Sequence, residues 1–123
     1  MAKRVLLAED EPNIVASLEF LLGRAGYEIV AYSDGAEALS AIKTDPPDIV
    51  VLDMMLPSLD GLEILRQLRA EAGCANLPVI MLTAKGQQED RDSAMNAGAD
   101  LFITKPFANS DVVDAVKSFL EPA

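Results

Sequence analysis

Ile49-Val50-Val51-Leu52-Asp53-Met54-Met55-Leu56 is an apolar octet interrupted by one carboxylate. Its first half has the length and β-branched character of a short strand buried on both faces. Four more such runs flank it, at Val5 to Ala8, Ile29 to Tyr32, Val79 to Leu82 and Leu101 to Thr104. Helical spacing fills the intervals. Ile14, Leu18, Leu21 and Leu22 share one face of a helix that Pro12 opens and Gly26 stops, as Pro in a first turn and Gly past a last turn do. Ala38, Leu39 and Ile42 mark a second helix ended by Pro46-Pro47, Leu62, Leu65 and Leu68 a third, and Val112, Val113, Val116, Phe119 and Leu120 a fifth. The fourth, Gln87 to Ala97, is mostly polar, with only Ala94, Met95 and Ala97 to bury. It is expected to dock least firmly, because a helix gains most of its stability from packing an apolar face.

Five alternations of strand and helix predict a parallel sheet covered on both faces, since parallel strands need crossovers and right-handed ones place helices there. The run at Ile29 to Tyr32 has polar margins, Tyr27-Glu28 and Ser33-Asp34, and is the expected edge strand. The 123 residues, half of them apolar, suffice for one core without a metal or disulfide staple. Only Glu121-Pro122-Ala123 follow the last helix, so residues 1–123 are expected to form one domain with no output domain attached.

Composition excludes several classes of function. With 10 basic and 20 acidic residues the net charge is -10, which opposes a non-specific grip on nucleic acid or anionic membrane. The absence of histidine removes His-dependent triads, His-ligated zinc and the commonest general base. Cys74 is the only cysteine, so there is no intramolecular disulfide. No run approaches membrane-spanning length and the start lacks a signal-peptide core, which predicts a soluble, cytoplasmic protein with a reduced thiol.

Function in an open α/β sheet sits at the carboxyl ends of the strands. There the first run ends in Glu9-Asp10-Glu11, the third in Asp53, the fourth in Thr83 and the fifth in Thr104-Lys105. Asp53, alone in its octet, is poor value as a buried ion pair for stability alone. Beside other carboxylates it is a hard-metal ligand, a nucleophile, or both. Glu9 and Asp10 taken singly could cap the helix at Pro12. Thr83 before Ala84-Lys85-Gly86 could simply start a helix, and Lys105 alone could be a solvated charge; Lys105-Pro106 gains weight from the rigid proline at the strand end.

As a set, Glu9-Asp10-Glu11-Pro12, Asp53 with Leu56-Pro57 and Asp60-Gly61, Thr83-Ala84 and Thr104-Lys105-Pro106-Phe107 resemble the receiver domain of bacterial two-component response regulators, over essentially the whole chain. The resemblance implies a flavodoxin-like doubly wound (βα)5 fold with a five-stranded parallel sheet in the order 2-1-3-4-5. It implies Asp53 as phosphoacceptor, a Mg2+ ion held by Glu9, Asp10, Asp53 and the backbone carbonyl of Met55, and Thr83 and Lys105 on the phosphoryl oxygens. Phe102 stands at the family's switch aromatic, expected to turn inward as Thr83 swings toward the phosphoryl group. The family often has Asp where this chain has Glu9, which leaves open whether that carboxylate meets the metal directly or through water. The implied partners are a histidine kinase or histidine phosphotransfer protein, and an output domain or partner protein on the face of the fourth helix, fifth strand and fifth helix. The implied chemistry is self-phosphorylation and self-dephosphorylation, not turnover of other substrates.

Three rivals differ at single features. A Mg2+-dependent aspartyl-phosphate phosphohydrolase commonly places a second acid two residues after the nucleophile, where this chain has Met55. A flavodoxin-like nucleotide or flavin carrier wants a phosphate cradle after the first strand, where Glu9-Asp10-Glu11 repels phosphate. A degenerate receiver serving only as a docking module would not need all five polar positions filled. In receivers resembling those of winged-helix transcription factors, charges on the fourth helix, fifth strand and fifth helix pair across a two-fold axis. Arg91, Asp100 and Asp111 match that pattern, but Ala115 stands where an arginine is usual, leaving Asp100 short of a partner. A monomer, or a weak phosphorylation-dependent dimer, is therefore expected.

Overall fold

The computed structural model describes residues 2–84 and 88–121. Five strands, β1 (Arg4–Ala8), β2 (Glu28–Tyr32), β3 (Ile49–Asp53), β4 (Val79–Thr83) and β5 (Leu101–Thr104), alternate with α1 (Pro12–Arg24), α2 (Gly35–Thr44), α3 (Gly61–Ala70), α4 (Gln88–Asn96) and α5 (Asn109–Leu120). All pairings are parallel and the order is β2-β1-β3-β4-β5, the doubly wound arrangement expected. β2 is an edge, as its polar margins predict.

The period of two along the strands divides the core between the sheet's faces. Leu6, Ala8, Val50, Leu52, Val79 and Met81 point to the face covered by α2, α3 and α4, where they meet Ala38, Ile42, Ile64, Leu68 and Ala94. Val5, Leu7, Ile49, Val51, Ile80 and Leu82 point to the other face and meet Leu18 and Leu22 of α1 and Val112, Val116 and Leu120 of α5. β3, apolar at every position before Asp53, is buried throughout.

Helix ends follow local chemistry. Asp34 and Asp60 cap α2 and α3 by accepting from the amides of Glu37 and Glu63. Gly26, just past α1, takes φ +100, which a Cβ would resist. Some expectations shift by a residue: Ile64 is buried, while Ile14, Leu21 and Leu62 are only half-buried. Met95 is 42% exposed, so Ala94 is the only buried residue of α4 among those described. The helix expected to dock least firmly thus buries even less than its sequence suggests. Its expected first residue, Gln87, and the Lys85-Gly86 pair before it lie outside the described residues.

Candidate functional site

Glu9, Asp53, Thr83 and Lys105 are delivered to one edge of the sheet by β1, β3, β4 and β5. Glu9 follows β1, and its amide still donates to the Tyr32 carbonyl at 3.0 Å, so its side chain starts from a fixed backbone. That side chain is fully buried, and its Oε2 accepts the Glu11 amide at 3.1 Å. Asp10 is exposed beside it. Asp53, the last residue of β3, is 3% exposed. Its Oδ1 accepts the Met55 amide at 3.0 Å and its Oδ2 accepts from Lys105 Nζ at 3.1 Å.

The loop behind Asp53 is held by a close approach. Gly61 donates its amide to the Met54 carbonyl at 2.9 Å, and a Cβ on Gly61 would stand 2.5 Å from the Asp53 carbonyl oxygen. Only glycine lets the start of α3 come this near β3, which accounts for Asp60-Gly61 in the pattern. The Met55 side chain is 54% exposed and brings no acid to the site.

Lys105 follows β5, its peptide to Pro106 is cis, and its amide donates to the Thr83 carbonyl at 2.7 Å. The ammonium lies 3.0 Å from Glu9 Oε1, 3.1 Å from Asp53 Oδ2 and 3.3 Å from Glu11 Oε1. Burial alone would lower the pKa of this ammonium; its close contacts with Glu9 and Asp53 and their charge attraction outweigh it and hold the group above its ordinary value. Burial pushes the Glu9 carboxyl up to about 7 against the opposing pull of Lys105 and the Glu11 amide, with Asp53 nearby adding to the rise.

One carboxylate oxygen each from Glu9, Asp10 and Asp53 lies within 4.8 Å of the others, a group that could hold a metal ion. Glu9 Oε1 supports that fit: it is buried and, despite the nearby ammonium, accepts no hydrogen bond of good geometry. An all-oxygen donor set suits a hard divalent cation.

Thr83 ends β4, fully buried and in register with Thr104. Phe102 is already buried, 8% exposed, in the core that holds Ala94 and Ala99. Two residues to which the sequence reading gave no separate role matter here. Glu11 reaches Lys105. Arg69 of α3 donates to the carbonyls of Cys74, Ala75, Leu77 and Gly98 and pairs with Asp100 Oδ2 at 3.1 Å. Asp100 also accepts the Val79 amide at 2.8 Å. It thus has its cation within its own chain. Ala115 is buried against the α1 side of the core, so position 115 offers little to a surface contact.

The family model of the response regulator receiver domain matches residues 5–117. The chain is 43% identical over 120 residues to the alkaline phosphatase synthesis transcriptional regulatory protein PhoP of Bacillus subtilis, a match spanning 98% of this chain and 49% of that relative. It therefore spans about half the length of that curated relative. Among solved structures, a Francisella response regulator receiver domain superimposes with TM-score 0.88 at 32% identity, covering 95% of both chains. The receiver domain of a sensor histidine kinase from Pseudomonas aeruginosa, solved with a magnesium ion coordinated in its active site cleft, superimposes with TM-score 0.84 at 28% identity over 98% of both chains.

Proposed function

The chain belongs to the response regulator receiver domain family, and on that premise we propose that Asp53 is its phosphoacceptor and that Glu9, Asp10, Thr83, Lys105 and Phe102 make the acceptance and read it out. The observation that carries this reading is the convergence of three carboxylates within 4.8 Å with the Lys105 ammonium 3.1 Å from Asp53 Oδ2. Phosphoryl transfer asks a protein chiefly for in-line positioning and neutralisation of oxygen charge. An Asp53 oxygen attacks phosphorus, a new O–P bond forms, and the bond from phosphorus to the donor nitrogen or oxygen breaks with its electron pair leaving on the donor. The Met55 amide orients the carboxylate, while Lys105 turns its charge from the carboxylates toward the phosphoryl oxygens. Glu9, Asp10, Asp53 and the Met55 carbonyl would hold Mg2+, which would supply the remaining positive charge there.

The product adds about two negative charges and new acceptor oxygens at Asp53. Thr83, at the end of β4, senses it, and Phe102, buried in the same core cluster as Ala94, passes it to the weakly docked α4. The partners that fit are a histidine kinase or histidine phosphotransfer protein as donor, with an output domain or separate protein reading the face of α4, β5 and α5. Incubation with acetyl phosphate and Mg2+ is expected to add a single phosphoryl group by intact mass, and a chelator to prevent it. No uptake with either this donor or a phosphohistidine protein would leave the docking-module reading in its place.

That face is proposed to serve a different protein more than a second copy. Asp100 is engaged by Arg69, and an acidic face repels its own copy while exposed ion pairs return only about 0 to 1 kcal/mol each. Sedimentation of the beryllofluoride-treated domain at tens of micromolar is expected to show monomer or a weak dimer. A tight dimer broken by Arg91→Ala would overturn this.

A further inference from the structure

Glu11 occupies the N-cap position of α1, yet its side chain makes no capping hydrogen bond to the free amides of the first turn. The cap position favours short acceptors such as Asp, Asn, Ser and Thr, and the longer side chain of Glu11 leaves those amides uncapped and reaches elsewhere. The carboxylate instead accepts from Lys105 Nζ at 3.3 Å. Its backbone amide meanwhile donates to Glu9 Oε2 at 3.1 Å. One residue thus contacts both Lys105 and Glu9.

The three carboxylates around Lys105 pull in different directions. Glu9 and Asp53 have side chains 0% and 4% exposed, whereas Glu11 is 59% exposed at the mouth of the site. Glu11 borders the open cleft of about 370 Å³ that also exposes Ile14, Ala84 and Phe107. Attraction from within is stronger because the interior screens it less. Glu11 is the counterweight on the solvent side.

We propose, resting on the function above, that Glu11 is a positioning residue for Lys105: its carboxylate holds the ammonium at the mouth of the site and limits how fully Lys105 closes over Asp53. Without it the ammonium settles onto Asp53 and Glu9. Asp53 Oδ2 is then more completely masked, and a divalent cation must displace a tighter internal cation from the same carboxylates.

The test is a double-mutant cycle read by Mg2+ affinity in calorimetry and, separately, by the rate of phosphoryl uptake from acetyl phosphate. Glu11→Gln is expected to weaken Mg2+ binding and slow uptake about two- to fivefold each, the range open to a partly exposed ion pair. In a Lys105→Met background the same substitution is expected to leave Mg2+ affinity unchanged, because the residue acts through the ammonium. An equal loss in both backgrounds means that Glu11 attracts the metal by its own charge, and overturns the positioning role. Should Lys105→Met not fold, the Lys105 ammonium signal in NMR decides: slower proton exchange is expected in Glu11→Gln, and an unchanged signal overturns the proposal. Absence of phosphoryl uptake by the wild type would defeat the proposed function, while the Mg2+ and ammonium measurements would still judge Glu11.

Discussion

Asp53→Asn is expected to take up no phosphoryl group under conditions in which the unaltered domain takes up one, a loss on the order of a thousandfold or more in rate. The substitution keeps the shape of the side chain. Its amide oxygen can still accept the Met55 N–H that now meets Oδ1. What it removes is the proposed nucleophile, since an amide oxygen is far less basic than a carboxylate, and the charge that holds Lys105 at 3.1 Å. Lys105 keeps Glu9 at 3.0 Å and Glu11 at 3.3 Å, so the ammonium is not left unpaired and the variant is expected to fold. Intact mass after incubation with acetyl phosphate and Mg2+ reads the first expectation, and far-UV circular dichroism the second. Uptake at the normal rate by a folded Asp53→Asn would move the acceptor to another residue and end the assignment.

The parts of this molecule that were legible in its sequence are those governed by local pattern. Runs such as Ile49 to Leu52 specify buried strands because every position is apolar, and the two-residue period assigns each to one of two cores. The site residues were legible for a related reason: each stands at the carboxyl end of a strand, so topology alone brings Glu9, Asp53, Thr83 and Lys105 together. What the pattern could not show depends on the reach of flexible side chains. Arg69 lies on α3, in sequence one more arginine of an amphipathic helix, but it spans to Gly98 and Asp100 on the far side of β4. The burial of Ala115 and exposure of Met95 similarly turn on how far a helix is rotated against the sheet, which a tolerance of one residue, about 100°, leaves undecided. Glu11 was visible as an acid near others, but its pairing with Lys105, 94 residues away in sequence, shows only in the folded chain.

The metal-free domain is expected to lose stability as pH rises from about 5 to about 8, opposite to the usual behaviour of paired carboxylates. Glu9 is the cause. Its carboxyl is raised from 4.5 to about 7, chiefly by burial. In the unfolded chain it ionises near its ordinary value, so between the two values the folded state binds the extra proton. The contribution of Glu9 is fully present below pH 4.5 and is lost as pH climbs through 7. A difference of this size corresponds to about 3 kcal/mol at most, reduced wherever Lys105 rearranges to follow the new charge. Glu9→Gln stays neutral, so in chelator its urea midpoint is expected to exceed that of the unaltered domain at about pH 8 and to match it at about pH 5. The excess should shrink when Mg2+ is added, because a cation that binds the ionised Glu9, Asp10 and Asp53 stabilises only the unaltered fold to its full extent. An unaltered domain whose chelator-treated midpoint rises steadily across this range, with Glu9→Gln following it in parallel, would show that Glu9 is ionised throughout and that Lys105 holds it so. The buried carboxylate would then be a partner of the lysine first and a seat for metal second.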